Sequence, residues 1–278
     1  MESQPAREVI KASPARPLMI VFLMYKRGST LFISIYLVDV FRYNLLKETF
    51  ISFKFLFSHI KEEKPMKLMK PLVVINFKTY HAGKAALKLA NIVEKEDKNI
   101  IIGAQSADIY NIAKNTKLKV FALHVDPIEP GRHTGFIVPK SVKENGAVGT
   151  FLNHSEHPLS FDTLKKTIKM CKKVKLKTYV FAKSPQEAKN IEKLGPDLII
   201  YEPKELVGGM VSVAQAKPDV IQKVRKVLKK QTKFLVGAGI HTKEDIDVSM
   251  KLGAHGIAFS SAFTTAKHPQ KVLRRLLK

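Results

Sequence analysis

Two patterns alternate along most of the chain. Short, continuously apolar runs rich in Val and Ile read LVVINF at 72–77, IIIGA at 100–104, KVFALHV at 119–125 and AVGTFLN at 147–153, then TYVFA at 178–182, DLIIYE at 197–202, FLVGAG at 234–239 and HGIAFSS at 255–261. Unbroken apolarity of this length predicts strands covered on both faces. Between the runs, apolar residues recur at helical spacing, as at Phe161, Leu164, Ile168 and Cys171, or at Val220, Ile221, Val224 and Leu228. Ser160, Ser184 followed by Pro185, and Thr242 followed by Lys243-Glu244-Asp245 mark helix starts. Strand followed by helix, about eight times in roughly 210 residues, predicts an α/β chain closed as a (β/α)8 barrel. A doubly wound open sheet is the second architecture with this alternation. No G-x-G-x-x-G follows the first run to favour it.

Residues 1–65 follow a different pattern. Their apolar runs, Pro17 to Tyr25 and Leu31 to Val38, are separated by Lys26, Arg27, Gly28, Ser29 and Thr30. Neither approaches the roughly 18 to 20 residues that cross a bilayer. No small-residue cleavage site marks a signal peptide. The expected organisation is therefore an N-terminal extension of uncertain order over 1–65 and a barrel domain over 66–278. The extension reads as weakly apolar or as translated sequence ahead of a native start at Met66 or Met69. A membrane tether through 1–65 is the weaker reading.

Charge changes the picture less than its size suggests. The chain has 48 Lys+Arg against 24 Asp+Glu, a formal net charge of +24. A nucleic-acid or anionic-membrane partner would fit that balance. The lysines, however, are scattered over helical segments, as at Lys165, Lys166, Lys169, Lys172 and Lys173, without arginine-aromatic interleaving or zinc-finger spacing. The expectation is a solvated basic surface with no nucleic-acid partner, whose field draws in small anions. The single Cys171 excludes an intramolecular disulfide and a cysteine-only metal cluster. It fits a reducing cytoplasm and reads as a buried, inert thiol on a helix face.

A barrel of this kind works at the carboxyl ends of its strands. The runs end there in Asn76-Phe77-Lys78, Asn153-His154-Ser155-Glu156, Glu202, Gly237-Ala238-Gly239 and Ser260-Ser261. Taken singly, Glu202 reads as a rim glutamate in water, His154 as a structural histidine, Asn76 as a strand cap and Gly239 as a turn glycine. Taken together, they set an ammonium, an imidazole and a carboxylate around one mouth.

The motifs INFKTY (75–80), LNHSE (152–156), YEP with the lid-like segment after it (201–210), VGAGI (236–240) and GIAFSS (256–261) resemble the triosephosphate isomerase family in its short archaeal form. The segment HVDPIEPGRHTG (124–135) is similar to the same form, and the resemblance spans about 66–278. It implies a TIM barrel that interconverts dihydroxyacetone phosphate and D-glyceraldehyde 3-phosphate through an enediol, in glycolysis and gluconeogenesis. Glu202 is implied as the base and His154 as a neutral electrophile. Lys78 is implied as fixed positive charge, positioned by Asn76, which also donates to the substrate. Ser155 and Glu156 are implied behind these, Glu156 as the partner of the lysine. The phosphate is implied at Gly239, Ser260, Ser261 and Val207. The resemblance also implies no metal, no cofactor, and a cytoplasmic homodimer or homotetramer.

Three positions depart from the family pattern. Val207-Gly208-Gly209-Met210 stands where the aliphatic residue is followed by Gly-Thr-Gly, Ala262 replaces a glycine, and Leu123 replaces a glutamine. They keep open the alternative of a catalytically weakened barrel that binds sugar phosphate or serves assembly. Another phosphate-binding isomerase or lyase on the same barrel is a further one.

Overall fold

The computed structural model describes residues 70–202 and 219–277 in full, and the backbone of 11–12, 18–27 and 30–39. The chain divides into two units, residues 1–67 and 68–278. In the first, β1 (Lys11–Ala12), β2 (Leu18–Arg27) and β3 (Thr30–Asp39) form an antiparallel sheet in that order. The ladder between β2 and β3 runs from Leu18 opposite Asp39 to Arg27 opposite Thr30, so both apolar runs of the N-terminal segment are paired with each other.

The second unit is a closed parallel barrel. Its strands are β4 (Leu72–Asn76), β5 (Ile101–Ala104), β6 (Lys119–Ala122), β7 (Gly149–Leu152), β8 (Lys177–Ala182), β9 (Leu198–Tyr201), β10 (Phe234–Val236) and β11 (Gly256–Phe259). Each pairs with the next in sequence, and β11 returns to β4 with Ile257 beside Val73. The strands coincide with the eight apolar runs, shortened mainly at the polar residues that end them.

The helices on the outside are α1 (Gly83–Glu96), α2 (Ser106–Asn115), α3 (Pro139–Glu144), α4 (Phe161–Lys173), α5 (Pro185–Glu192), α6 (Asp219–Val227), α7 (Lys243–Lys251), α8 (Ser261–Thr264) and α9 (Pro269–Leu277). Ser160 accepts from the Thr163 N–H and Ser184 from the Glu187 N–H, while Thr242 and Asp245 form a reciprocal capping box. Among the described residues no helix is long and apolar enough to cross a membrane. Cys171 is buried on the inner face of α4, where burial pushes its thiol up to about 12 and leaves it inert at neutral pH.

The pleat sorts each strand between two cores. Outward residues such as Val73, Ile75, Ile199 and Tyr201 pack against the helices. Inward residues fill the barrel: Val74, Ile101, Phe121, Phe151, Tyr179, Phe181, Leu198, Ile200, Leu235 and Ala258. Phe121 and Phe151 fit because glycines face them inside the barrel, Gly149 on the adjacent strand for Phe121 and Gly103 two strands away for Phe151. A Cβ at Gly149 would lie 2.3 Å from Phe121, and one at Gly103 would lie 2.2 Å from Phe151. Carried one step past the inward side chains, the same alternation brings Asn76, Glu202, Gly237 and Ser260 to the mouth.

Candidate active site

Asn76, the last residue of β4, is buried, and its Oδ1 accepts from the Lys78 N–H at 2.9 Å. That bond closes a tight turn in which Lys78 takes the left-handed φ of 48°. The turn aims Lys78 Nζ at Glu156 Oε1, 2.5 Å away.

His154 follows β7 on a second turn, opened by Asn153 at φ 58°. The Glu156 N–H donates to His154 Nδ1 at 3.1 Å. Nδ1 is thereby an acceptor, so the ring is neutral with its proton on Nε2. Burial and the nearby Lys78 ammonium act in the same direction and lower the imidazole to about 4. The Nε2 side lies 3.7 Å from Glu202 Oε1.

Glu202 extends the inward series of β9 by one residue. Its N–H donates to Ala182 O at 2.9 Å, and the Gly237 N–H donates to Tyr201 O at 2.8 Å, so the backbone beneath it is tied to β8 and β10. Its side chain is 13% exposed. Ser155 Oγ donates to Glu202 Oε2 at 3.4 Å. Burial raises the carboxyl to about 7, and outweighs the lowering by Lys78 and by the Ser155 hydroxyl. The usual order of proton affinity is thus inverted: the acid takes a proton before the imidazole does. Near neutral pH the site holds a neutral imidazole beside a carboxyl close to its titration midpoint, a donor and a base suited to proton transfer at carbon.

Gly237 has a part the sequence reading did not assign. A Cβ there would come within 2.7 Å of Ile200 Cγ2 and 2.8 Å of Glu202 Cγ. Only glycine leaves the carboxylate its place. The VGAG pattern carried the signal, read there for Gly239 instead.

On the remaining side of the mouth, Gly239 adopts φ 69°, a conformation suited to glycine. The buried Ser260 Oγ has no hydrogen-bond partner among the described residues, and Ser261 begins α8 beside it. Ala262 lies inside α8, where helical backbone has no need of glycine. Leu123 packs against the inward aromatic core. The structure therefore brings Asn76, Lys78, His154, Ser155, Glu156 and Glu202 to one mouth. Val207, Pro203 and Met210 lie outside the described residues. Among the described residues no cluster of His, Cys, Asp and Glu is arranged to hold a metal ion.

The family model "Triosephosphate isomerase" matches residues 71–276. Triosephosphate isomerase of Methanocaldococcus jannaschii is 37% identical over 216 residues, covering 74% of this chain and 99% of the relative. That of Saccharolobus solfataricus is 40% identical over 211 residues, covering 73% of this chain and 93% of the relative. Among solved structures, triosephosphate isomerase from Bartonella henselae superposes with a TM-score of 0.59 at 16% identity, over 74% of this chain and all of that one. That likeness establishes the barrel fold.

Proposed function

This chain belongs to the triosephosphate isomerase family, and on that premise we propose that Glu202, His154 and Lys78 carry out the interconversion of dihydroxyacetone phosphate and D-glyceraldehyde 3-phosphate. The observation that carries the assignment is the meeting of the three side chains at one barrel mouth, with Glu202 Oε1 3.7 Å from His154 Nε2. Glu202 removes a proton from the carbon beside the substrate carbonyl. The Nε2–H of His154 donates to the carbonyl oxygen as the enediolate forms, then serves the neighbouring oxygen. The Lys78 ammonium faces the negative charge that develops. Glu202 returns its proton to the adjacent carbon, which completes the isomerisation without a redox partner or cofactor.

Ser155 and Glu156 support these groups through the hydroxyl on Glu202, the carboxylate on Lys78 and the backbone N–H on His154. Asn76 holds the Lys78 turn and donates to the substrate. Gly239, Ser260 and Ser261, with Val207 from the following loop, take the phosphate on backbone amides and the free hydroxyl. The alternative of a binding or assembly protein is the less favoured, because every ionisable group that the reaction needs stands in the mouth. The proposed assembly is a cytoplasmic homodimer or homotetramer. The exposed Tyr80 and Phe136, on the loops after β4 and β6, support a partner subunit. A coupled assay of the purified chain with glyceraldehyde 3-phosphate tests the reading, and absence of turnover overturns it.

The inverted proton affinities predict a pH profile. Glu202 must be ionised to act, and its carboxyl titrates at about 7. kcat/KM should therefore fall about tenfold per unit as pH drops below about 7, while His154, at about 4, stays neutral throughout that range. A profile that is flat between about pH 5.5 and 9 would remove Glu202 from the role of base.

Gly237→Ala should move the carboxylate without removing it. Its Cβ must push on Glu202 Cγ and Ile200 Cγ2. The expected result is a loss of about tenfold or more in kcat/KM, with about 1–3 kcal/mol of lost stability from overpacking, read by steady-state kinetics and denaturant unfolding.

A further inference from the structure

The turn that presents His154 leaves β7 through a left-handed asparagine, and its side chain is fully engaged. Asn153 Nδ2 donates to Phe181 O at 3.0 Å and to Glu187 Oε1 at 3.2 Å, and its Oδ1 accepts from the Leu159 N–H at 2.9 Å. These bonds fasten the start and the end of the 153–159 turn to β8 and to the first turn of α5. Glu187 is itself held: its second oxygen accepts from the Lys183 N–H at 2.8 Å, and its own N–H donates to Ser184 Oγ at 3.1 Å.

Phe181, whose carbonyl takes part in this latch, also meets the imidazole with its side chain. The ring points into the barrel, is 3% exposed, and stands nearly perpendicular to His154 with centroids 4.6 Å apart and an interplanar angle of 75°. Phe151 backs it from below at 5.7 Å and 90°. One residue of β8 therefore grips the histidine turn by its main chain and the histidine ring by its side chain.

We infer that Phe181, together with the Asn153–Glu187 pair, is a positioning element for His154, setting the rotation of the imidazole and excluding water from its face so that Nε2 is directed into the mouth. The inference rests on the role proposed above for His154. The charged groups around that ring are Lys78 from the end of β4, Glu156 from its own turn and Glu202 from the end of β9. Phe181 carries no net charge, and it acts on the ring chiefly by packing against it and keeping water from it.

The full-length chain tests this with two kinds of change. Phe181→Leu keeps an apolar side chain but loses the flat wall. It should lower kcat about tenfold with little change in KM, as misorientation of a reacting group does. It should also raise the titration midpoint of the His154 ring, read by NMR and assigned with the His154→Gln spectrum, by about half a unit or more toward an ordinary imidazole. Asn153→Asp preserves the acceptor for the Leu159 N–H and tolerates left-handed backbone, but sets a second carboxylate against Glu187. It should lose turnover, and adding Glu187→Gln should recover much of the loss. An unchanged His154 midpoint in folded Phe181→Leu, or an Asn153→Asp loss untouched by Glu187→Gln, overturns the inference. A ring midpoint that moves as expected while His154→Gln retains full turnover would instead reject the electrophile role and leave the positioning contact standing.

Discussion

Glu202→Gln should reduce kcat by about three orders of magnitude while affinity for a phosphate-bearing analogue of the enediolate stays close to that of the parent protein. The amide keeps the volume and the Ser155 contact, so the change is confined to the loss of a group that accepts a proton from carbon. Burial of the side chain is the cause of its basicity, and the same burial limits the access of a replacement base from solvent. Steady-state kinetics and competition with the analogue read the two quantities separately. Turnover within about tenfold of the parent would sink the assignment, since general-base catalysis contributes about a hundredfold or more.

Lys78→Met should damage both quantities. Methionine preserves much of the side-chain length and removes the charge proposed to face the substrate oxygens, so kcat/KM should fall about a thousandfold and analogue affinity should fall with it. The ammonium also lowers the proton affinity of Glu202 and of His154. Without it both rise, and the acid limb of the surviving activity should shift to higher pH. The fold should tolerate the change, because the ion pair lost is with Glu156, whose side chain is 62% exposed, and such pairs contribute only about 0–1 kcal/mol. Unfolding by denaturant checks that point, and an unaltered analogue affinity would exclude contact between Lys78 and the substrate.

The strands and the mouth could be read from the sequence for one reason: a parallel barrel covers every strand on both faces, so each becomes an apolar block that stops where the chain reaches the rim. Glu202 stood out because it ended such a block, and Ser160, Ser184 and Thr242 because capping chemistry is local. The remaining features are long-range. Phe181 looked like any apolar strand residue, and only the register of β7 on β8 reveals that it faces His154. Asn153 was visible beside His154, but its latch on Glu187 joins residues 34 apart. The tautomer of His154 depends on one backbone N–H, two residues on, that turns back toward the ring. In residues 1–65 the two apolar runs carried no clear alternation of face, and so gave no sign of the ladder that pairs Leu18 with Asp39.

The division of each strand between barrel interior and helix layer also limits how such a chain can change in length. Leu198, Ile200 and Glu202 share one side of β9, and Ile199 and Tyr201 the other. Inserting or deleting a single residue within the strand would exchange the two sets, turning the acid toward the helices and a tyrosine toward the substrate. Gains and losses of sequence are therefore admissible in the connections at either end of the barrel and excluded from within its staves, where even a neutral residue in the wrong place would disarm the enzyme.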